Sequence, residues 1–77
     1  MRQEEALAEI QALTEREQEV ALLIAKGLGQ QEAADVLFVT RRTVRWHLHN
    51  IFKRLGISKA TQLAVICTMA GLVTDWN

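Results

Sequence analysis

The stretch TRRTVRWHLHNIFKRLG, residues 40–56, decides how the rest of the chain is read. Val44, Leu48, Ile51, Phe52 and Leu55 recur at i, i+4, i+7, i+8 and i+11, the spacing of one helical face. Arg42, Arg45, Trp46, His49 and Lys53 recur at i, i+3, i+4, i+7 and i+11, a second stripe on the opposite side. Thr40 supplies a hydroxyl to cap such a helix and Gly56 a residue to stop it. The spacing predicts a helix over 41–55 with one face packed and the other basic, aromatic and exposed.

The neighbouring segments carry their own start and stop signals. Upstream, a short helix is expected over 30–37, with Ala33, Ala34 and Leu37 turned inward and Phe38-Val39 breaking the pattern. Gly27-Leu28-Gly29 makes a turn before it. A helix over 15–26 precedes that turn, with Val20, Leu23 and Ile24 at helical spacing. It opens on Thr14, whose hydroxyl and the Glu17 carboxylate are spaced for a capping box. Downstream, Ser58 is expected to cap a helix over 59–70 whose inward face is Leu63, Ile66, Cys67 and Ala70. The other side of that helix, Thr61, Ala64, Val65, Thr68 and Met69, has no charge, which points to a second partner. Residues 1–12 hold Leu7 and Ile10 among Glu and Gln, and read as a weak helix or a linker. Residues 13–73 read as one domain and 74–77 as a tail. The fold class is all-α: a four-helix bundle-like helix-turn-helix domain, with residues 1–12 as an additional helix or linker.

With 77 residues and 49% hydrophobic composition, the chain can build one small core and no multi-lobed enzyme. Proline is absent. Cys67 is the lone cysteine, so no internal disulfide is available; a core position and a reducing compartment fit it. The longest uncharged stretch, Ala60 to Thr74, is too short and mixed for a bilayer span. No secretory signal is visible, and the cytoplasm is the expected location. Nine basic and nine acidic residues sum to zero, yet they are segregated. Residues 1–39 carry a net −5, residues 40–59 a net +6 with no acid, and residues 60–77 only Asp75. A dense basic block is the electrostatic footprint expected of a nucleic-acid binder, hidden here by a global sum.

A short helix, a tight turn and a longer helix with a free basic face follow the helix-turn-helix plan, in which the longer helix enters the major groove of DNA. Arginine can donate twice to the O6 and N7 acceptors of guanine. Thr40, Arg41 and Thr43 at the helix N-terminus suit a phosphate, and Lys53, Arg54 and Lys59 would meet the DNA backbone further along. At this point the residues also resemble a known family. Leu13-Thr14-Glu15-Arg16-Glu17, Gly27-Leu28, Thr43-Val44-Arg45, Ile51-Phe52-Lys53-Arg54-Leu55-Gly56 and Gly71-Leu72-Val73 are similar to the LuxR-type (FixJ/NarL-type) DNA-binding domain. The resemblance implies a bacterial transcription-factor domain whose third helix presents Arg45, Trp46 and His49 to bases. It also implies dimerisation through the last helix. Departures include Gly29 for a polar cap, Gln31 for lysine, Ala33 for a large aliphatic and Ala60 for arginine.

The expected function is therefore sequence-specific binding of double-stranded DNA in transcription regulation at the bacterial nucleoid. The protein would act as a homodimer on a roughly palindromic site, with RNA polymerase as a further contact. Arg42, Arg45, Trp46 and His49 are the expected base readers. No nucleophile–base pair, phosphate-cradling loop or paired carboxylates occur, so no catalysis and no cofactor are expected. His47 and His49, two apart on a helix, point away from each other and make no metal site; His47 is expected to be packed and hydrogen-bonded. Two rival readings keep the fold: a sigma-factor-like promoter-reading module, and a protein-interaction or anti-activator module using Trp46 and Val36.

Overall fold

The computed structural model describes residues 1–73, and their regular structure is helical throughout. The helices are α1 (Gln3–Gln11), α2 (Glu15–Ala25), α3 (Gln30–Leu37), α4 (Arg41–Leu55) and α5 (Ala60–Met69). The tail expected at 74–77, with Asp75, lies outside the described residues. α2 occupies the centre and packs on α5, α4 and α3, while α3 lies on α4 and α1 on α5. Ile10, Val20, Val44, Ile51, Leu63 and Cys67 are the largest fully buried side chains, drawn from four different helices.

The helix starts follow from local chemistry. At α2 the Thr14 hydroxyl accepts from the Glu17 N–H at 3.1 Å, and the Glu17 carboxylate accepts from the Thr14 N–H at 2.9 Å. That reciprocal pair lets Glu17 be only 5% exposed, its charge met by the N-terminal end of its own helix. At α4 the Thr40 hydroxyl accepts from the Thr43 N–H at 3.2 Å. α5 differs from expectation, because Ser58 lies outside the helix and Lys59 takes the cap position. Gln62 Oε1 reaches back to accept the N–H groups of Ser58 at 2.8 Å and Lys59 at 3.0 Å. The Ser58 hydroxyl donates to the same oxygen instead of accepting from the helix.

Four helices stop in the same way. The N–H groups of Leu28, Val39, Ile57 and Leu72 each return to a carbonyl five residues back, on Leu23, Ala34, Phe52 and Cys67. This closure needs a residue in the left-handed region. Gly27, Gly56 and Gly71 occupy it after α2, α4 and α5, but after α3 the residue is Phe38, with φ 57° and 95% of its surface exposed. The turn Phe38-Val39-Thr40 then leads directly into α4.

α1 is a docked helix. Its buried residues are Ala6 and Ile10, with Leu7 only half-buried; sequence pattern had favoured Leu7. The small Ala6 lets the α1 backbone lie close to α5, a fit that a scale of hydrophobicity undervalues. The start of α1 also lies close to the residue after α5, where a Cβ on Gly71 would fall 2.6 Å from Gln3 Nε2. Leu37, Phe52 and Leu55 lie at the edge of the core, half-buried.

Phe38→Gly should relieve about 1–2 kcal/mol of left-handed strain against roughly 0.5–1 kcal/mol of added backbone entropy. The expected net gain is about 0–1.5 kcal/mol, seen as a midpoint up to several degrees higher in thermal circular dichroism; a lower midpoint would contradict it. Burial pushes the Cys67 thiol up from 9.0 to about 11. The side chain is also fully buried, so its alkylation by iodoacetamide at pH 8 should run at least about 100-fold slower in the native protein than in urea.

Candidate nucleic-acid interface

α4 carries two chemistries on opposite sides. Val44, Leu48 and Ile51 are buried, whereas Arg41, Arg42, Arg45, Trp46, His49 and Lys53 are exposed. α4 contains no acid, and the ion pair among the described residues is Arg16 with Glu19 on α2 at 2.7 Å. The cations of α4 therefore keep their charge for an outside partner. Burying the apolar stripe against α2 and α3 is what turns this basic stripe outward.

The expected site residues fall into adjoining hollows. Arg41, Arg42, Arg45 and Trp46 surround one, open to solvent. Arg45 also borders a second, with His49, the Gly29–Gln30 start of α3 and the Ala60 start of α5. Trp46, 62% exposed, continues into a third with Asn50, Lys53, Arg54, Thr14 and Glu17. Arg45 and Trp46 thus stand at the centre of the surface. Arg41 Nε donates to Gln30 Oε1 at 3.4 Å, which draws its guanidinium towards α3. The hydroxyls of Thr40 and Thr43 lie 3.0 Å apart at the N-terminus of α4, and Lys59 stands at that of α5.

The starts of α3 and α5 add something the sequence reading did not single out. Neither Gly29 nor Lys59 offers a side-chain acceptor to the first-turn N–H groups, so both helices present free donors beside Arg45 and His49. The two ends are not equivalent. At α3 the Glu32 carboxylate accepts from the Gly29 N–H at 2.8 Å and brings a negative charge to the rim. At α5 the neutral Gln62 amide makes the corresponding bonds. The start of α5 is thus the better anion site. A glutamine three residues after a cap position was the available signal, obscured because the cap residue is a lysine.

Two expected residues carry a further feature. Arg54, exposed beside Lys53, also donates from its Nη1 to the carbonyl oxygen of Ala12 at 3.0 Å. His47 is half-buried and packs edge-on to Trp46, with ring centroids 5.1 Å apart, but its buried Nδ1 has no hydrogen-bond partner. It is packed as expected, without the expected bond at that nitrogen. On α5, Val65 is 57% exposed, Thr61 and Met69 are exposed, and Ala64 and Thr68 are half-buried. Ala64, Val65, Thr68 and Met69 line a shallow hollow without polar surface. The Thr68 hydroxyl donates to the Ala64 carbonyl at 2.7 Å and so leaves only its methyl group there. Among the described residues there is no cluster of His, Cys, Asp and Glu able to hold a metal ion, and no helix is long and apolar enough to cross a membrane.

Residues 11–67 match the family described as bacterial regulatory proteins, luxR family. The chain is 41% identical over 61 residues to response regulator protein VraR of Staphylococcus aureus. The same identity is found with the proteins of that name in Staphylococcus saprophyticus and Staphylococcus epidermidis. Each match takes in 79% of this chain, which spans 29% of the length of each relative.

Glu32→Gln keeps a bond to the Gly29 N–H while removing the charge. A helix-end charge is worth about 0.3–1 kcal/mol, so binding of duplex oligonucleotides should tighten roughly two- to fivefold at low salt. The gain should be independent of sequence; fluorescence anisotropy giving unchanged affinity would exclude this role for Glu32.

Proposed function

The chain belongs to the luxR family of bacterial regulatory proteins, and from that premise we propose that it binds double-stranded DNA sequence-specifically to regulate transcription, with α4 in the major groove. The observation that carries the reading is the uncompensated basic face of α4, set between two helix N-termini whose donors are free. Arg45, Trp46 and His49, with Arg42 at the edge, read bases. Arginine offers two parallel donors to guanine, and the Trp46 ring offers an apolar surface to a thymine methyl. Thr40, Arg41 and Thr43 hold one phosphate run and Lys53 and Lys59 others, which makes affinity fall steeply with salt.

Two copies meet through the uncharged face of α5, formed by Thr61, Ala64, Val65, Thr68 and Met69. The domain measures 34 × 29 × 20 Å, so a pair spans successive major grooves about 34 Å apart on a roughly palindromic site. Residues 13–73 carry this activity, with α1 docked on them. The setting is the bacterial cytoplasm, at the nucleoid, where RNA polymerase is a natural further contact. The chain performs no catalytic step. A protein-interaction reading draws support from the exposure of Val36, Phe38 and Trp46; it predicts no salt-sensitive DNA binding.

Selection of bound duplexes from a random pool should return two related half-sites one helical turn apart. A single half-site would favour the monomeric, sigma-factor-like reading. On the selected duplex, Arg45→Ala should cost about 1–3 kcal/mol and relax preference at one base position. Arg45→Ala binding with the sequence preference intact would remove Arg45 from the readers.

A further inference from the structure

α1 ends unlike the other helices. Its last residue leads through Ala12, at φ −73° and ψ −15°, into Leu13 without any left-handed closure. Backbone N–H groups of Ala12 and Leu13 return to the Ala8 and Ile10 carbonyls, and side chains take the two carbonyls that follow the helix. Gln18 Nε2 donates to the Leu13 carbonyl at 3.0 Å, and Arg54 Nη1 donates to the Ala12 carbonyl at 3.0 Å across 42 residues of chain. A guanidinium at this position also meets the negative end of the α1 dipole. Arg54 is thereby a cap for α1 supplied by the last turn of α4.

We propose that Arg54 is a positioning residue for DNA recognition: by binding the Ala12 carbonyl it pins the C-terminal half of α4 to the α1–α2 junction and so sets the pitch of the base-reading residues. The proposal deepens the DNA-binding reading and rests on it. The N-terminal half of α4 is held by its Thr40 cap and by the Arg41–Gln30 bond to α3. Beyond Ile51 the buried stripe thins, since Phe52 and Leu55 are only half-buried. There a directional polar bond restrains what apolar packing leaves free to tilt. Arg54 lies nine residues from Arg45, about 13.5 Å along the helix, and a paired hydrogen bond to a base tolerates displacement of only about 0.5 Å. Release at Arg54 therefore reaches the readers. Lys53, next to it and likewise exposed, makes the contrast, because it has charge but no such bond among the described residues.

The test compares wild type, Arg54→Gln, Arg54→Lys and Lys53→Gln on the selected duplex and on a scrambled one, over a range of salt. Arg54→Gln, folded by circular dichroism, should bind the selected duplex about fivefold more weakly. It should match wild type on the scrambled one, with an unchanged slope of log affinity against log salt. Arg54→Lys, which can still donate to Ala12, should come back to within about twofold. Lys53→Gln should weaken both duplexes alike and flatten the slope by about 0.9. A flattened slope and equal losses for Arg54→Gln would make Arg54 a phosphate contact and overturn the proposal. Unchanged binding to both duplexes would reduce it to a fold-stabilising residue, and overturn it equally.

If Arg54→Gln does not fold, Gln18→Ala decides, since it loosens the same junction without touching α4 or any charge. Loss on the selected duplex at constant slope supports the pin, and no loss overturns it. A wild-type chain that binds no duplex at low salt would bring down the DNA-binding reading itself, a result distinct from every variant outcome.

Discussion

The burial of Val44, Leu48 and Ile51 beneath α2 and α3 is the contact on which the molecule depends. In a chain of 77 residues the core has no spare elements, so the helix that presents the basic surface must also supply much of the interior. One helix can do both only because a period of 3.6 residues separates the two stripes cleanly. The same constraint fixes what can vary. A change on the buried stripe alters stability and rotates the exposed one, whereas a change at Arg42, Arg45, Trp46 or His49 leaves the core intact. Specificity can therefore be altered on this scaffold without rebuilding it.

Charge segregation gives the domain a direction. Among the described residues the acids lie on α1, α2 and α3, and the bases concentrate on α4 and at the start of α5. A polyanion approaching from the acidic side meets repulsion and from the α4 side attraction, so encounters are oriented before any hydrogen bond forms. Within the interface Glu32 runs against this trend: it caps α3 by placing a carboxylate where the other surrounding groups favour an anion. Helix capping and anion binding compete for the same few N–H groups, and at α3 capping has been met with a charged group. At α5 Gln62 meets it with a neutral one.

The parts of the fold that the amino-acid pattern disclosed are those governed by short-range chemistry. The Thr14–Glu17 box, the Thr40 cap, the stops at Gly27 and Gly56 and the two stripes of α4 all involve residues within a few positions of each other. The docking of α1 was obscured because its key buried residue is the small Ala6, and its partner helix is far away in sequence. Ser58 was favoured as a cap because hydroxyls cap well in general, while here the Gln62 amide reaches the loop N–H groups first. The exposed members of the candidate interface followed from periodicity. Periodicity placed Lys53 on that stripe and left Arg54 off it, but it could not show what Arg54 meets instead. The Ala12 carbonyl that engages one and not the other comes from the opposite end of the chain.

The close approach of Gln3 to Gly71 has a consequence for how the molecule assembles. The seam between α1 and α5 closes a loop containing nearly the whole chain, and loop closure of that span carries the largest entropic cost in this topology. The α2–α3, α3–α4 and α2–α4 contacts span shorter separations, while α2–α5 spans nearly as long a one. α1 packs chiefly on α5, whereas α2 is held by three helices, so α1 is the helix with the fewest packing partners to lose in a local opening.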